Sequence, residues 1–444
     1  MPAPMMHLAI YADQTLGTGA WRLPEKDNSP AGRKQALINL AQLAEAAKID
    51  GLLLAESLTY GPERIWPYKV TEEFESVTMA AALSMVTERL GFIVTQSAMY
   101  QAPFHIARMS LSLDHLTGGR TAWNLVTSFS PSAAENFGRV MLDHDERYVR
   151  GREVLEVVRK LWDSFDDDAI IDDRERGIYA DPAKIHPANH EGEFFHVKGP
   201  LGSPRSPQGQ PVLFQAGASA AGRAFAATHA DAIFTAMPNF DGGLLFYQQV
   251  HEEARRHGRQ GPMPLILPSV QVVVGSTDEE ARRIDEQLSE VLIPEYLAAW
   301  LYEFGVDLIG VDLDGPIPAS AFAASTETHQ SALEGLRTMA AECTTVWEFL
   351  RRTTSGWALR MVGSPETIAD EMQRWCDAPA ADGFILDGAK GDGQVEAFLE
   401  HVVPVLQRRG VFRREYSGTT LRDHLGLPWR PSRYASASSA VTVS

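Results

Sequence analysis

Cysteine is nearly absent from this sequence. The 444 residues hold only Cys343 and Cys376, which excludes a disulfide framework and fits a reducing compartment. Positive charge is also short, with 40 Lys plus Arg against 58 Asp plus Glu and a formal net charge of −18. That balance speaks against nucleic acid and anionic membrane surfaces as partners, and an anionic cofactor would need a local cradle. No apolar run reaches the roughly 18 residues that span a bilayer, and the chain does not open on the basic, apolar and small-residue succession of a signal peptide. It reads as a soluble cytoplasmic protein. A Walker motif, a G-x-S-x-G elbow and a G-x-G-x-x-G after the first strand are all missing, which speaks against a resident nicotinamide domain.

What the chain does have is alternation. Apolar, β-prone runs at 6–12, 51–57, 90–98, 121–128, 211–217, 230–237, 267–275 and 382–388 are separated by helical patterns such as 33–48, 74–89, 104–119, 145–165 and 364–378. Near-continuous apolar strands between amphipathic helices predict parallel β-structure buried on both faces, and eight such units predict an α/β fold, a (β/α)8 TIM barrel. Two long insertions interrupt it, at 166–210 and about 276–363. Both are expected to act as lid and substrate wall. The barrel domain is expected over 1–408. Residues 409–444 are read as a basic, irregular arm over the barrel or a partner subunit, ending in a disordered tail.

In a barrel of this kind the active site lies at the carboxyl ends of the strands, and the polar residues there are the candidates. Glu56 and Ser57 end the second strand, Thr95 to Ser97 the third, and Asn124, Thr127 and Ser128 the fourth. Neutral hydrogen-bonding groups suit the edge of a polar planar heterocycle. The fifth strand runs into Gly217, Ala218 and Ser219, followed by an Ala-rich helical segment. Ser219 is a good N-cap, and a helix start flanked by small residues attracts an anion, a phosphate being the simplest guest. His144 and Tyr148 lie four residues apart, on one face of a helix, where they would bind a phosphate or serve in proton transfer. His186, His190 and His196 fall in a Pro/Gly-rich stretch without ligand spacing, so no metal site is expected. Trp21, Trp66, Tyr100, Phe104, Trp300, Trp357 and the run 356–363 offer aromatic and apolar surface for a hydrophobic or heteroaromatic substrate.

Three ordered blocks carry a family resemblance: "TERLGFIVTQSAMYQAPFHIARMSLSLDHLTGGRTAWNLVTS" (87–128), "HDERYVRGREVLEVVRKLWDSF" (144–165) and "FFHVKGPLGSPRSPQGQPVLFQAGASAAGRAFAATHADAIFT" (194–235). From about residue 6 to 415 the chain resembles the bacterial-luciferase-like flavin monooxygenases, in the branch of nitrilotriacetate monooxygenase, pristinamycin synthase and dibenzothiophene-sulfone monooxygenase. The resemblance implies an oxygenase that takes reduced FMN (FMNH2) from a separate NAD(P)H:flavin reductase and uses O2 to oxygenate a small organic substrate, with C–N or C–S cleavage among the outcomes. It implies a homodimer or homotetramer. By position it places Glu56, Thr95, His144, Tyr148 and Ser219 in the FMN site, with Asn124, Thr127 and Ser128 near the isoalloxazine and His144 as the candidate proton donor. Where the family commonly has Ala-Asp-Ser, this chain has Ala55, Glu56 and Ser57. Two alternatives remain at this stage: a flavin- or deazaflavin-dependent hydride-transfer enzyme on the same barrel, and a non-catalytic flavin-binding relative.

Overall fold

The computed structural model describes residues 5–12, 19–128, 130–217, 219–237, 239–323, 330–354, 358–387 and 393–435. Eight parallel strands close on themselves: β1 (His7–Ala12), β2 (Gly51–Leu54), β3 (Gly91–Ser97), β4 (Thr121–Val126), β5 (Val212–Ala216), β6 (Ala232–Thr235), β7 (Leu265–Val274) and β8 (Gly383–Asp387). β8 completes the ring by pairing with β1 from His7 opposite Gly383 to Tyr11 opposite Asp387. Each strand falls within or next to an apolar run read from the sequence, because a strand covered on both faces has to be apolar on both.

Alternation along the strands separates two layers of side chains. Ala9, Leu53, Ile93, Ala122, Phe214, Ala232, Leu267 and Ile385 form the interior of the barrel. Leu8, Leu52, Phe92, Ile233 and Phe384 point the other way into the layer shared with the helices. The outer layer includes α1 (Pro30–Ala46), α2 (Ser76–Ser84), α3 (Pro103–Thr117) and α4 (His144–Trp162), of which α2 and α4 carry residues of the site described below. After them, α5 (Ala220–His229) follows β5 and α6 (Phe240–Arg256) follows β6.

The described part of the C-terminal segment packs at the amino-terminal end of the barrel. Leu421, Leu425 and Leu427 join the interior cluster as a floor. Two carboxylates that precede strands anchor this segment: Asp231 takes Arg422 Nη2 at 2.9 Å, and Asp50 takes Arg413 Nη2. Burial opposes the charge on Asp231, but Arg422 and Arg430 together hold its carboxyl below the ordinary range.

The two insertions lie at opposite ends. Residues 166–210 follow the carboxyl end of α4 and lead into the start of β5, so they belong to the floor side. Gln208 Nε2 donates to the carbonyl of Thr121 at the beginning of β4, and Arg205 Nη2 donates to the carbonyl of Arg430. The connection also climbs the outside of α4, where the amides of Phe194 and Phe195 donate to Glu153, and these contacts give the lid expected here no support. The second insertion follows the carboxyl end of β7 and stands at the mouth. Its helices Asp278–Ser289, Pro294–Tyr302, Gln330–Ala341 and Val346–Thr353 enclose a core of their own around Leu297, Leu301, Phe349 and Leu350. The apolar run at its end forms a ninth strand, Leu359–Gly363, parallel to Val270–Val274 of β7. Val270 pairs with both Leu386 of β8 and Leu359, so the ninth strand takes the edge of β7 that β6 leaves free. Among the described residues no helix is long and apolar enough to cross a membrane.

Removing Arg422 would leave Asp231 buried with a weaker partner, Arg430 at 3.7 Å. Arg422→Ala is expected to lower unfolding free energy by about 3 kcal/mol in urea titration. A second expectation concerns acid. Burial, helped by Arg413, pushes His424 down to about 4 from its ordinary 6.5. The unfolded chain then takes up the proton first, so this contribution is complete above pH 6.5 and is lost as the pH falls towards 4. His424→Leu should flatten that part of a stability–pH profile measured by thermal unfolding.

Candidate active site

The corner between β5 and α5 is the most closely built part of the mouth. Ser219 caps α5 in an extended conformation, its Oγ accepting the amide of Gly222 at 3.1 Å. The first amides of the helix have no intrahelical acceptor and carry the positive end of the helix dipole. His144, the first residue of α4, sets Nε2 3.1 Å from Ser219 Oγ and Nδ1 3.0 Å from Asp145 Oδ1. One turn further, Tyr148 is buried with its ring 5.2 Å from that of His144 and 6.0 Å from that of Phe225. Its hydroxyl fits between two glycines. A Cβ on Gly222 would stand 2.8 Å from Tyr148 Oη, and one on Gly217 3.0 Å from it and 2.6 Å from Gln215 Nε2. The small residues of the sequence thus serve a specific contact, the approach of a phenol to a helix start. Ala218 lies outside the described residues.

On the β2–β4 side, strand alternation decides which candidates face the mouth. Thr95 shares the inward side of β3 with Ile93, and Asn124 shares that of β4 with Ala122. Asn124 Nδ2 donates to Thr95 Oγ1 at 3.0 Å, while Asn124 Oδ1 is buried with no partner. At the rim, Ser97 Oγ and Ser128 Oγ are 2.8 Å apart, and Ser128 takes the left-handed backbone, φ 43°. Thr127 turns towards α4, where a Cβ on Gly151 would lie 3.5 Å from its methyl group. Glu56 also turns away from the barrel axis. Its Oε2 accepts the amide of Ser76, the first residue of α2, at 3.0 Å, and burial raises its pKa despite that bond. Ser76 Oγ then donates to the carbonyl of Thr95 at 2.9 Å, linking Glu56 to the inward threonine.

The third part of the mouth is a cavity of about 490 Å³ between the ends of β7 and β8 and the second insertion. Gln271, on the inward side of β7, donates to Asp387 Oδ2 at 2.8 Å and to the carbonyl of Thr354 at 2.7 Å. Arg360 of the ninth strand donates to Gln271 Oε1 at 2.9 Å and pairs with Asp285. Of the aromatic residues singled out in the sequence, Trp21, Trp66, Tyr100, Phe104 and Trp300 do not line this cavity, and Trp357 lies outside the described residues. Tyr100 instead stacks on Phe137 at 4.9 Å, and Trp300 packs on Phe304 at 4.6 Å.

Sequence reasoning missed three polar groups. Arg147 is 6% exposed, donates to the carbonyl of Ser128, and leaves Nε without a partner. Gln215 Oε1 is buried and unpartnered beside Gly217. Gln271 is the third. The two glutamines did carry a signal, since each stands in a mainly apolar strand. The histidines of 186–196 go to separate acids, His186 to Asp166, His190 to Glu153 and His196 to Glu191. Among the described residues no group of three or more such side chains could hold a metal ion.

A parallel barrel that gathers a glycine-lined helix start, a His–Tyr pair and inward amide and hydroxyl groups at its strand ends has the form of a barrel enzyme, whose active site lies at that face. The chain belongs to the luciferase-like monooxygenase family, whose model matches residues 18–382, and it is a flavin-dependent monooxygenase of that family. It is 41% identical over 429 residues to N-acetyl-S-(2-succino)cysteine monooxygenase of Bacillus subtilis (strain 168), covering 94% of this chain and 96% of the relative. It is 38% identical over 424 residues to nitrilotriacetate monooxygenase component A of Aminobacter aminovorans, covering 92% and 93%. Among solved structures, riboflavin lyase with modified FMN and riboflavin as substrate superposes with a TM-score of 0.83 and 31% identity, covering 95% of each chain. The branch read from the sequence is the one these relatives occupy.

Two substitutions test the corner without any ligand. Ser219→Ala removes the N-cap and is expected to cost about 1 kcal/mol in thermal or urea unfolding. Gly222→Ala forces a methyl group onto the buried Tyr148 hydroxyl and should cost roughly 1–3 kcal/mol, a loss that Gly222→Ala combined with Tyr148→Phe should partly restore.

Proposed function

We propose that this chain is the oxygenase component of a two-component system, taking FMNH2 from a separate NAD(P)H:flavin reductase and using O2 to oxygenate a small organic substrate. The observation that carries the proposal is the β5–α5 corner, where Ser219, His144 and the hydroxyl of Tyr148 converge on a helix start kept open by Gly217 and Gly222. These residues fit a phosphate. In a chain of net charge −18 the positive end of α5 supplies the local cradle that an anionic cofactor requires. Asn124 Oδ1, buried and unpartnered in the mouth, fits an N–H donor of a heterocycle. When bound, the flavin supplies the electrons that make O2 reactive.

The chain's own residues bind, orient and shield. Ser219, Tyr148 and the α5 amides hold the phosphate end, and Asn124 with Thr95 holds the ring edge. His144 lies at the phosphate end, where its Nε2 holds or delivers a proton while Asp145 fixes its tautomer. Glu56 acts through Ser76 and Thr95 as a positioning residue. Thr127 and Ser128 shape the rim beside it. The second insertion covers the mouth and keeps water from the reacting groups. The similar chain called component A and the similar structure containing a modified FMN both support this reading. So do the substrates named for the two relatives, small molecules that carry carboxylates around a sulfur or a nitrogen.

Anaerobic titration should show that the wild type binds FMNH2 more tightly than oxidised FMN. Ser219→Asp, which sets a carboxylate against the phosphate, should weaken FMNH2 at least tenfold, about 1.4 kcal/mol. With a reductase, 18O2 and a turned-over substrate, the label should appear in the product by mass spectrometry. Equal binding of both flavin states together with unlabelled product would refute the proposal.

A further inference from the structure

The cavity between β7, β8 and the second insertion is lined by six charged side chains with a purpose to explain: Asp285, Glu348, Arg351, Arg352, Arg360 and Asp387. Five of them have partners. Arg360 pairs with Asp285, and Arg352 reaches Glu342 at 2.7 Å. Glu348 accepts the amide of Thr344 at 2.8 Å and its hydroxyl at 2.9 Å, and Asp387 accepts Gln271 at 2.8 Å. Arg351, half-buried in the last turn of the helix Val346–Thr353, has no carboxylate partner among the described residues. The negative end of that helix accounts for a cation in this turn. The same dipole favours both arginines of the turn, but Arg352 pairs with Glu342, whereas Arg351 meets no carboxylate among the described residues.

We propose that Arg351 determines substrate specificity, as the counter-charge for a carboxylate on the organic substrate held in this cavity. A guanidinium in a partly desolvated cavity offers two parallel N–H donors, the geometry a carboxylate matches bidentately. The volume of about 490 Å³ lies in the range that holds a whole small organic molecule. Ser289 and Thr345 on the same walls provide neutral hydroxyl groups for the rest of it. The cavity also stands across the mouth from the β3–β5 wall, so an anionic substrate and an anionic cofactor phosphate occupy opposite sides, each with its own positive group. The inference rests on the oxygenase reading above, which is tested separately by flavin binding.

The experiment is calorimetric titration of the intact chain, with FMN present, using N-acetyl-S-(2-succino)cysteine and nitrilotriacetate as acid probes and their fully methylated esters as neutral controls. The acid of at least one pair should bind at least tenfold more tightly than its ester. Arg351→Gln should remove most of that preference while leaving ester affinity, melting temperature and FMN affinity unchanged, and Arg351→Lys should recover part of it. Acid and ester binding alike, neither acid binding, or an Arg351→Gln variant with undiminished acid affinity would overturn the proposal. Loss of flavin binding in the wild type would instead count against the oxygenase reading, since the probes are read without turnover.

Discussion

The shape of the mouth depends on one seam, the pairing of β8 with β1. An open parallel sheet would spread its strand ends along a line; closure gathers all eight into a ring, so that the wall of β3, β4 and β5 faces the cavity at β7 and β8 across one mouth. The seam is held where the two ends of the chain meet the floor. Asp382, just before β8, accepts the amide of Ile266 at 2.8 Å and the hydroxyl of Tyr247 at 3.0 Å, and its carbonyl takes the amide of His7. The C-terminal leucines then fill the interior from below. Stability is concentrated at the floor and chemistry at the mouth, and the two ends share little except the strands between them.

Much of this was legible in the sequence for a physical reason. Barrel strands are buried on both faces, so each announces itself as an apolar run, and the helices between them carry 3.6-residue periodicity; all eight strands and the five quoted helices appear close to their expected places. The ninth strand was not legible as one. "LRMVG" presents alternate faces, and its pairing with β7 depends on an edge that only the three-dimensional path of β6 leaves free. The direction of the insertion at 166–210 was equally invisible, because composition says that a connection is long but not from which end of a helix it departs.

The site divides in the same way. The β5–α5 corner could be read locally, since a cap, two glycines and a helix start are neighbours in sequence, and the structure brings His144 and Tyr148 to it. Thr95 and Asn124 meet as adjacent strands require. Glu56 and Thr127 face helices because a strand's side chains alternate, and a terminal residue's side is fixed by register that single-strand reading does not supply. Arg147 and Arg351 escaped notice because the chain has many arginines, and only burial or the lack of a partner distinguishes these two.

The ninth strand has one further effect. Above Thr235, β7 trades a barrel neighbour for a strand that belongs to the insertion, so the wall of the mouth is a splice between two folding units. One unit contributes the side with the β5–α5 corner, and the other carries the cavity on an extension of the same sheet. A barrel built on this splice can change its insertion, and with it the shape of the cavity, without moving the opposite wall.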